Sequence, residues 1–192
     1  MAILVAGHGL QLAYVPLRAE LLGWSSLAAG ALGSMYFSGF LAGCFVVPRL
    51  VARAGHIRSF ATLTSLGTAS ILALSLSEHY AFWLALRFVV GVSIAGLYLV
   101  IESWFNELIT EERRGSVLAV YTMIVLAAMA SGPLLLKAAP IAGEVLIVLA
   151  ALLFVVAGIP ISHATGTAAT RATVHPIAVT ASPAPIASLR AR

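Results

Sequence analysis

The stretch PRLVARAGHIR, residues 48–58, joins two long apolar segments through a short basic link. Arg49, Arg53 and Arg58 supply its charge, and Gly55 is a turn residue. Lysine and arginine accumulate in the cytoplasmic loops of membrane proteins. A link this short and this positive, between segments of membrane length, therefore predicts on which side of a membrane each part of the chain lies.

The composition of the chain predicts an all-α integral membrane protein. Of its 192 residues, 61% are hydrophobic and 9% are charged, whereas soluble domains carry about 25% charged residues. The net charge of +4 does not indicate nucleic-acid binding, because the basic residues lie between apolar segments. The single cysteine, Cys44, excludes an intrachain disulfide and a cysteine-based metal site. The lipid bilayer is the expected environment.

Six transmembrane helices are predicted, because a chain in a bilayer must satisfy its backbone groups within each spanning segment. They cover about residues 2–16, 27–47, 57–77, 80–105, 116–136 and 140–161. The first is short, about 22 Å against a hydrocarbon core of about 30 Å. The Ala/Thr/Ser/Pro-rich residues 162–192 are predicted to form a disordered cytoplasmic tail after a helical bundle of residues 1–161.

The distribution of basic residues predicts that both termini are cytoplasmic. In that orientation two basic residues, Arg18 and Lys137, lie outside, and Arg87 lies within a span. The cytoplasmic side holds the other eight: Arg49, Arg53, Arg58, Arg113, Arg114, Arg171, Arg190 and Arg192. The eight-to-two excess follows the positive-inside rule. Trp24, Trp83 and Trp104 all fall near predicted span ends, where the membrane interface favours them.

The fourth span carries two charges at membrane depth. Arg87, Gly91, Tyr98 and Glu102 fall on one helical stripe about 60° wide. Arg87 and Glu102 are separated by about 22 Å along the helix, too far to pair with each other. Because a charge within a span is costly unless it faces the bundle interior or water, Arg87 is a functional candidate. A structural ion pair is the alternative for Arg87, and interfacial anchoring is the alternative for Glu102.

The first span carries His8, Gln11 and Tyr14 among apolar residues. His8 and Gln11 are three residues apart and share a helix face. Polar groups at this depth should line a cavity or contact neighbouring helices. His8 also has the chemistry of a proton carrier, although no nearby residue supports that role. The other histidines are scattered without ligand spacing, so no metal site is expected.

Small residues predict where helices approach closely or bend. Gly39 and Gly43 form a small-xxx-small pair in the second span, which serves close packing or a sliding interface. In the fifth span, Gly132 and Pro133 predict a kink and a candidate hinge.

The loop before the fifth span mixes acids with Arg113 and Arg114. It is either a solvated turn or part of an ionic network with Glu102 and the arginines of the first basic link. No P-loop, HExxH motif or hydrolase signature is present, so an enzyme is not expected.

Several motifs resemble those of the major facilitator superfamily (MFS). The basic link is similar to the family's signature loop at Leu50, Arg53, Gly55 and Arg58, although Ala52 replaces the expected aspartate. Residues 87–91 match its Arg-x-x-x-Gly signature, and residues 114–115 match its Arg-Gly after the fourth helix. Residues 35–40, 48–60, 86–106 and 114–121 resemble a bacterial subgroup described only as transporters.

The resemblance implies the N-terminal half of a secondary transporter in the bacterial cytoplasmic (inner) membrane. Such carriers work by alternating access between two six-helix halves, with no cofactor. In proton-coupled members the arginine of the fourth helix is linked to coupling, so Arg87 inherits that role, and Glu102 would replace the carboxylate missing at Ala52. The expected partner is a second six-helix half, supplied by a missing C-terminal part of a truncated gene or by a homodimer.

The alternative is a membrane protein that transports nothing, either a remnant or a partner subunit of another membrane protein. The substrate, the direction of transport and the coupling ion are not readable from the sequence, because the second half would supply much of the cavity.

Overall fold

The computed structural model describes residues 1–108 and 111–158, and they form helices and connecting turns with no strand among them. In chain order the helices are α1 (Ala2–Leu21), α2 (Ser26–Ala54), α3 (His56–Ala73), α4 (Tyr80–Leu108) and α5 (Glu111–Ser131). A 3₁₀ helix (Gly132–Ala138) continues α5, and α6 (Val145–Gly158) follows. The expected all-α class is therefore confirmed, whereas the predicted tail, residues 162–192, lies outside the described residues.

Among the described residues, three regions are long and apolar enough to cross a membrane: Ser26–Ala54, Tyr80–Trp104 and Arg113–Ala138. The apolar helix Val145–Gly158 is shorter, and α1 and α3 do not meet the same criteria of length and composition. Six α-helices are thus present in the described chain, but six membrane spans remain a prediction.

Two helices are longer than the hydropathy pattern predicts. The first apolar run was expected to end at Pro16, yet α1 contains this proline and continues to Leu21, for 20 residues or about 30 Å. Similarly, α2 contains Pro48 and continues to Ala54. Hydropathy locates where a helix leaves apolar surroundings, not where its backbone hydrogen bonds stop, so both ends were placed too early.

The most extensive helix contact joins α2 to α4, and glycines permit it. A Cβ atom on Gly39 would overlap the Phe88 carbonyl, and one on Gly91 would overlap the Tyr36 carbonyl. Gly43 faces Val92 and Ala95 in the same contact. Two backbones this close leave no room for a side chain between them.

A second close backbone contact joins α1 to the end of α5. A Cβ atom on Gly132 would overlap the backbone at Gly9, and one on Gly9 would meet the Met129 carbonyl. The glycine contact of α2 with α4 therefore has a counterpart between α5 and α1. Helix α6 packs beside α1 and α3, because Phe154 lies against both Gly7 and Gly67.

Aromatic side chains close one end of the bundle. The indole of Trp83 is 1% exposed, and its Nε1 donates a hydrogen bond to the Ser77 carbonyl. Trp24 packs edge-on against the rings of Trp83 and Tyr80, with ring centroids 5.2 Å apart in each pair. Trp83 lies on the first turn of α4, near a helix end as the sequence predicted, and this packing together with the hydrogen bond to Ser77 buries it within the bundle.

Much of the outer surface is apolar. Large exposed hydrophobic side chains lie on α2 and α5, including Phe37, Leu41, Phe45, Met123 and Leu126. Contiguous apolar surface of this kind is costly in water and suits a lipid or helical neighbour. Several polar side chains are instead buried within the bundle: His8, Gln11, Ser59, Thr64, Ser70, Arg87 and Ser93.

Candidate functional site

A hydrogen bond between two polar side chains lies in the interior of the bundle. His8 of α1 and Tyr36 of α2 are 3% and 2% exposed, and the Tyr36 hydroxyl is 3.0 Å from Nε2 of His8. Their rings also stack, with centroids 5.4 Å apart and planes inclined by 30°. Buried polar groups normally find such partners, because leaving them unpaired is costly.

Arg87 of α4 packs against the aromatic ring of Tyr36. Its guanidinium carbon lies 4.8 Å from the centre of the Tyr36 ring, and the residue is 2% exposed. An arginine over an aromatic face gains a cation–π attraction that grows when the pair is shielded from water. Tyr36 therefore connects α1 and α4, and we call the three residues His8, Tyr36 and Arg87 the polar cluster.

The local sequence explains why the three side chains meet. Tyr36 stands one turn before Gly39, and Arg87 stands one turn before Gly91. Gly39 and Gly91 lie at the closest approach of α2 and α4, so both polar side chains start from backbones in near contact. On α1, His8 belongs to the continuous buried stretch that also holds Gly9.

Several polar atoms at the polar cluster lack a partner among the described residues. Nδ1 of His8 and both Nε and Nη1 of Arg87 are buried without a hydrogen bond. Gln11, one turn after His8 on α1, is 1% exposed, and neither of its amide atoms is hydrogen-bonded. In the described chain, Arg87 also has no acidic residue within ion-pair distance.

The other two predicted cavity residues, Tyr98 and Glu102, stand further along α4. Tyr98 is half-buried on α4, and Glu102 is exposed near the end of that helix. They stand 11 and 15 residues beyond Arg87, or about 16 and 22 Å along the axis. The structure thus brings His8 together with Arg87 through Tyr36, while Tyr98 and Glu102 start from later turns of α4.

The predicted basic loop is a single residue between two helices. Arg49 and Arg53 lie on the last turns of α2, and Arg58 lies on the first turn of α3. Between the helices stands Gly55, whose φ of +80° is readily adopted only by glycine. The loop assignment was wrong because Pro48 does not end α2. All three arginines are exposed, and Nη1 of Arg49 donates to the Phe45 carbonyl at 2.6 Å.

Arg113 and Arg114 lie on the first turns of α5, where Arg113 is exposed and Arg114 is half-buried. The acidic side chains of Glu107, Glu111 and Glu112 fall outside the described part of the chain. The predicted ionic network with Glu102 therefore stays a prediction.

The backbone changes helical type at the predicted hinge. Helix α5 ends at Ser131, and Gly132 and Pro133 begin a 3₁₀ helix of 7 residues. Runs of this length are uncommon, and a 3₁₀ stretch within a longer helix often marks a hinge. Gly132 is also the residue that contacts the α1 backbone beside Gly9, next in sequence to His8.

Tyr36 is the central residue that sequence reasoning missed. It occupies the same helix face as Gly39 and Gly43, at spacings of three and seven residues. A hydroxyl-bearing ring on the close-packing face of an apolar helix predicts a polar partner on the facing helix. The sequence therefore contained the signal that predicts this contact, a tyrosine on the same face as Gly39 and Gly43.

Comparisons with known proteins agree with this architecture. The profile of the Major Facilitator Superfamily matches residues 1–188. Two similar proteins are the uncharacterized MFS-type transporter YE1530 of Yersinia enterocolitica, 34% identical over 107 residues, and YcaD of Escherichia fergusonii, 37% identical over 95 residues. These matches cover 56% and 50% of this chain but only 28% and 25% of the relatives.

A further relative, the uncharacterized MFS-type transporter Ent638_1421 of an Enterobacter species, is 31% identical over 58% of this chain and 29% of its own length. No solved structure matches the chain. The family profile extends over nearly the whole sequence, including every helix described above. The chain therefore belongs to the Major Facilitator Superfamily, a family of membrane transporters.

Proposed function

We propose that the chain forms the first six-helix half of a secondary carrier that moves small solutes by alternating access. The observation that carries this proposal is the polar cluster, a buried arginine, histidine and tyrosine inside an apolar bundle. Polar and charged residues within membrane helices are costly and typically mark a substrate or ion pathway. An inert bundle would be more stable with apolar residues at these three positions.

The position of the polar cluster supports a role in transport. It joins α1 to α4, and in transporters built from repeats the binding sites lie near the bilayer midplane at repeat interfaces. We assign Arg87, His8 and Gln11 to the solute path or to its coupling with protons. Tyr98 and Glu102 are proposed to line the same path nearer its cytoplasmic end.

The helix ends and close contacts suggest how the carrier changes state. Arginines at the α2–α3 link and at the start of α5 are proposed to gate the cytoplasmic side by changing ionic partners: Arg49, Arg53, Arg58, Arg113 and Arg114, with Gly55 as the turn. The glycine contacts and the 3₁₀ segment are proposed to permit sliding and bending, at Gly39, Gly43, Gly91, Gly132 and Pro133.

The proposed membrane arrangement follows the basic residues. All six helices cross the bacterial cytoplasmic membrane, and both termini lie in the cytoplasm. Residues 1–161 form the bundle, and residues 162–192 form a cytoplasmic tail that would join the halves. The matched relatives are far longer than the matched segment, which supports a second half as the partner, from the same gene or from a second copy of this chain.

The DNA beyond the codon for Arg192, read in all frames, tests the two-half arrangement. Six further hydrophobic spans are expected there if the partner half is encoded in sequence. Their absence, together with stable expression of the chain and no second copy in the purified protein, would favour a membrane protein that transports nothing. Solute exchange in proteoliposomes tests transport itself.

A further inference from the structure

We propose that the polar cluster, together with Gln11, binds the carboxylate of a singly charged anionic solute. This inference rests on the proposed function, because it names the class of solute that the carrier would take. It starts from the charge of Arg87, which is 2% exposed and has no acidic partner among the described residues. An arginine stays protonated in proteins, so the bundle encloses an uncompensated positive charge.

The contact with Tyr36 does not remove this charge. The ring covers the guanidinium at 4.8 Å and contributes an attraction, but it carries no net charge. The Tyr36 hydroxyl lies 3.0 Å from Nε2 of His8, and neither Nε nor Nη1 of Arg87 is hydrogen-bonded to it. The hydrogen-bonding nitrogens Nε and Nη1 of Arg87 consequently face no acceptor in the described chain.

The neighbouring unpaired atoms match the needs of a carboxylate. A carboxylate only accepts hydrogen bonds, and arginine is the side chain whose geometry suits it best. Gln11 offers an unpaired amide nitrogen on the same side of α1 as His8, and Nδ1 of His8 is also unpaired. Three side chains from two helices thus carry buried polar atoms that no described residue uses, and one of the three bears a positive charge.

The charge balance selects a monoanion. A neutral solute would leave the charge of Arg87 uncompensated in an apolar bundle, and a doubly charged phosphate would replace it with a net negative charge. One carboxylate neutralises the site. The unpaired atoms are enclosed in this structure, so the anion would enter through a conformation in which α1 and α4 are further apart.

Ligand-dependent thermal unfolding of the full chain in detergent tests this inference without requiring transport. The probes are matched pairs of a carboxylate and its amide, from acetate and acetamide to lactate and lactamide and to benzoate and benzamide, at constant ionic strength. Inorganic phosphate, at a pH above its second pKa where it is doubly charged, is a further arm. A ligand that binds the folded state raises the unfolding temperature with its concentration. At least one carboxylate should raise it more than its amide and more than phosphate.

Variants locate the binding. Arg87→Gln should abolish the carboxylate effect, Gln11→Leu should raise the apparent Kd about tenfold, the equivalent of one charge-assisted hydrogen bond, and Lys137→Gln should leave it unchanged. If Arg87→Gln does not fold, Gln11→Leu, which keeps the charge, provides the test. No difference between carboxylate and amide across the series, a stronger response to phosphate, or an unchanged response in Gln11→Leu and Arg87→Gln overturns the inference.

The outcome separates this inference from the proposed function. Carboxylate binding that depends on Arg87, without any solute exchange in vesicles, would support the binding site and contradict transport. Exchange of a neutral or cationic solute, without a carboxylate response, would support transport and contradict the anion site.

Discussion

The Tyr36 hydroxyl lies 3.0 Å from Nε2 of His8, while the ring of the same tyrosine carries the guanidinium of Arg87 at 4.8 Å. One side chain therefore holds polar groups of α1 and α4 in the interior of the bundle. Both contacts are shielded from water, since each of the three residues is at most 3% exposed. A substitution of Tyr36 should consequently disturb contacts of three helices, α1, α2 and α4.

Tyr36→Phe should lower the free energy of unfolding by about 1–3 kcal/mol. The ring over Arg87 remains, but Nε2 of His8 loses its partner and both ring nitrogens are left buried and unpaired. Thermal or denaturant unfolding in detergent measures the change. Ser34→Ala is the matched control, because it removes only an exposed bond to the Gly30 carbonyl and should stay within about 0.5 kcal/mol. Equal losses in the two variants would contradict the importance of the buried bond.

Gly91→Ala should destabilise the bundle by about 1–3 kcal/mol or more. The added methyl group would overlap the Tyr36 carbonyl, and a backbone in a helix cannot move aside cheaply. Gly33→Ala is the control on the facing helix, because a Cβ there meets no atom within 4 Å. That control should stabilise α2 by up to about 1 kcal/mol through helix propensity. If both substitutions stabilise the protein, the close contact of α2 with α4 is refuted.

The ion pair of Arg18 with Glu78 should contribute little to stability. The two side chains are 3.0 Å apart but 20% and 63% exposed, and a pair so accessible to solvent typically contributes about 0–1 kcal/mol. A double-mutant cycle with Arg18→Gln and Glu78→Gln, measured by unfolding, gives the coupling energy. A coupling well above 1 kcal/mol would show that this pair is shielded in the membrane.

Reporter fusions should reveal the orientation of the chain. A reporter joined after Lys137 should be extracytoplasmic, and one joined after Arg58 should be cytoplasmic, because the basic residues are concentrated on the side of Arg58. Alkaline phosphatase and green fluorescent protein fusions report the two sides with opposite signals. Cytoplasmic activity at Lys137 would exclude six spans with cytoplasmic termini.

The helical class and the family were predictable from the sequence, because composition, span spacing and the Arg87–Gly91 motif are local features. The burial of Arg87 and His8 also followed from the cost of polar groups at membrane depth. Their connection through Tyr36 was not predictable from hydropathy, since it depends on how α2 is rotated against α4. The glycine pair nevertheless indicated which face of α2 meets α4, because Tyr36 lies on the same helix face as Gly39 and Gly43.

The helix ends were predicted less well, for a physical reason. Pro16 and Pro48 were taken as helix ends, yet each lies within a continuous helix, because a proline removes one backbone hydrogen bond and membrane helices tolerate this. The connection between α2 and α3 is therefore Gly55 alone, shorter than the predicted basic link, and Arg53 and Arg58 lie on helix ends. The charge that predicts the orientation of the chain is the same, but it is held on two helices joined by one residue.

Solute exchange in proteoliposomes tests the central claim most directly. Vesicles that contain the full chain, together with any second half encoded beside it, are incubated with an isotope-labelled cell extract, and the trapped label is identified by mass spectrometry. At least one small solute should enter faster than into protein-free vesicles. Arg87→Ala should reduce that rate about tenfold or more while the protein stays folded, and Lys137→Ala should not. Equal entry in the Arg87→Ala vesicles, or no solute-specific entry at all, would contradict the account.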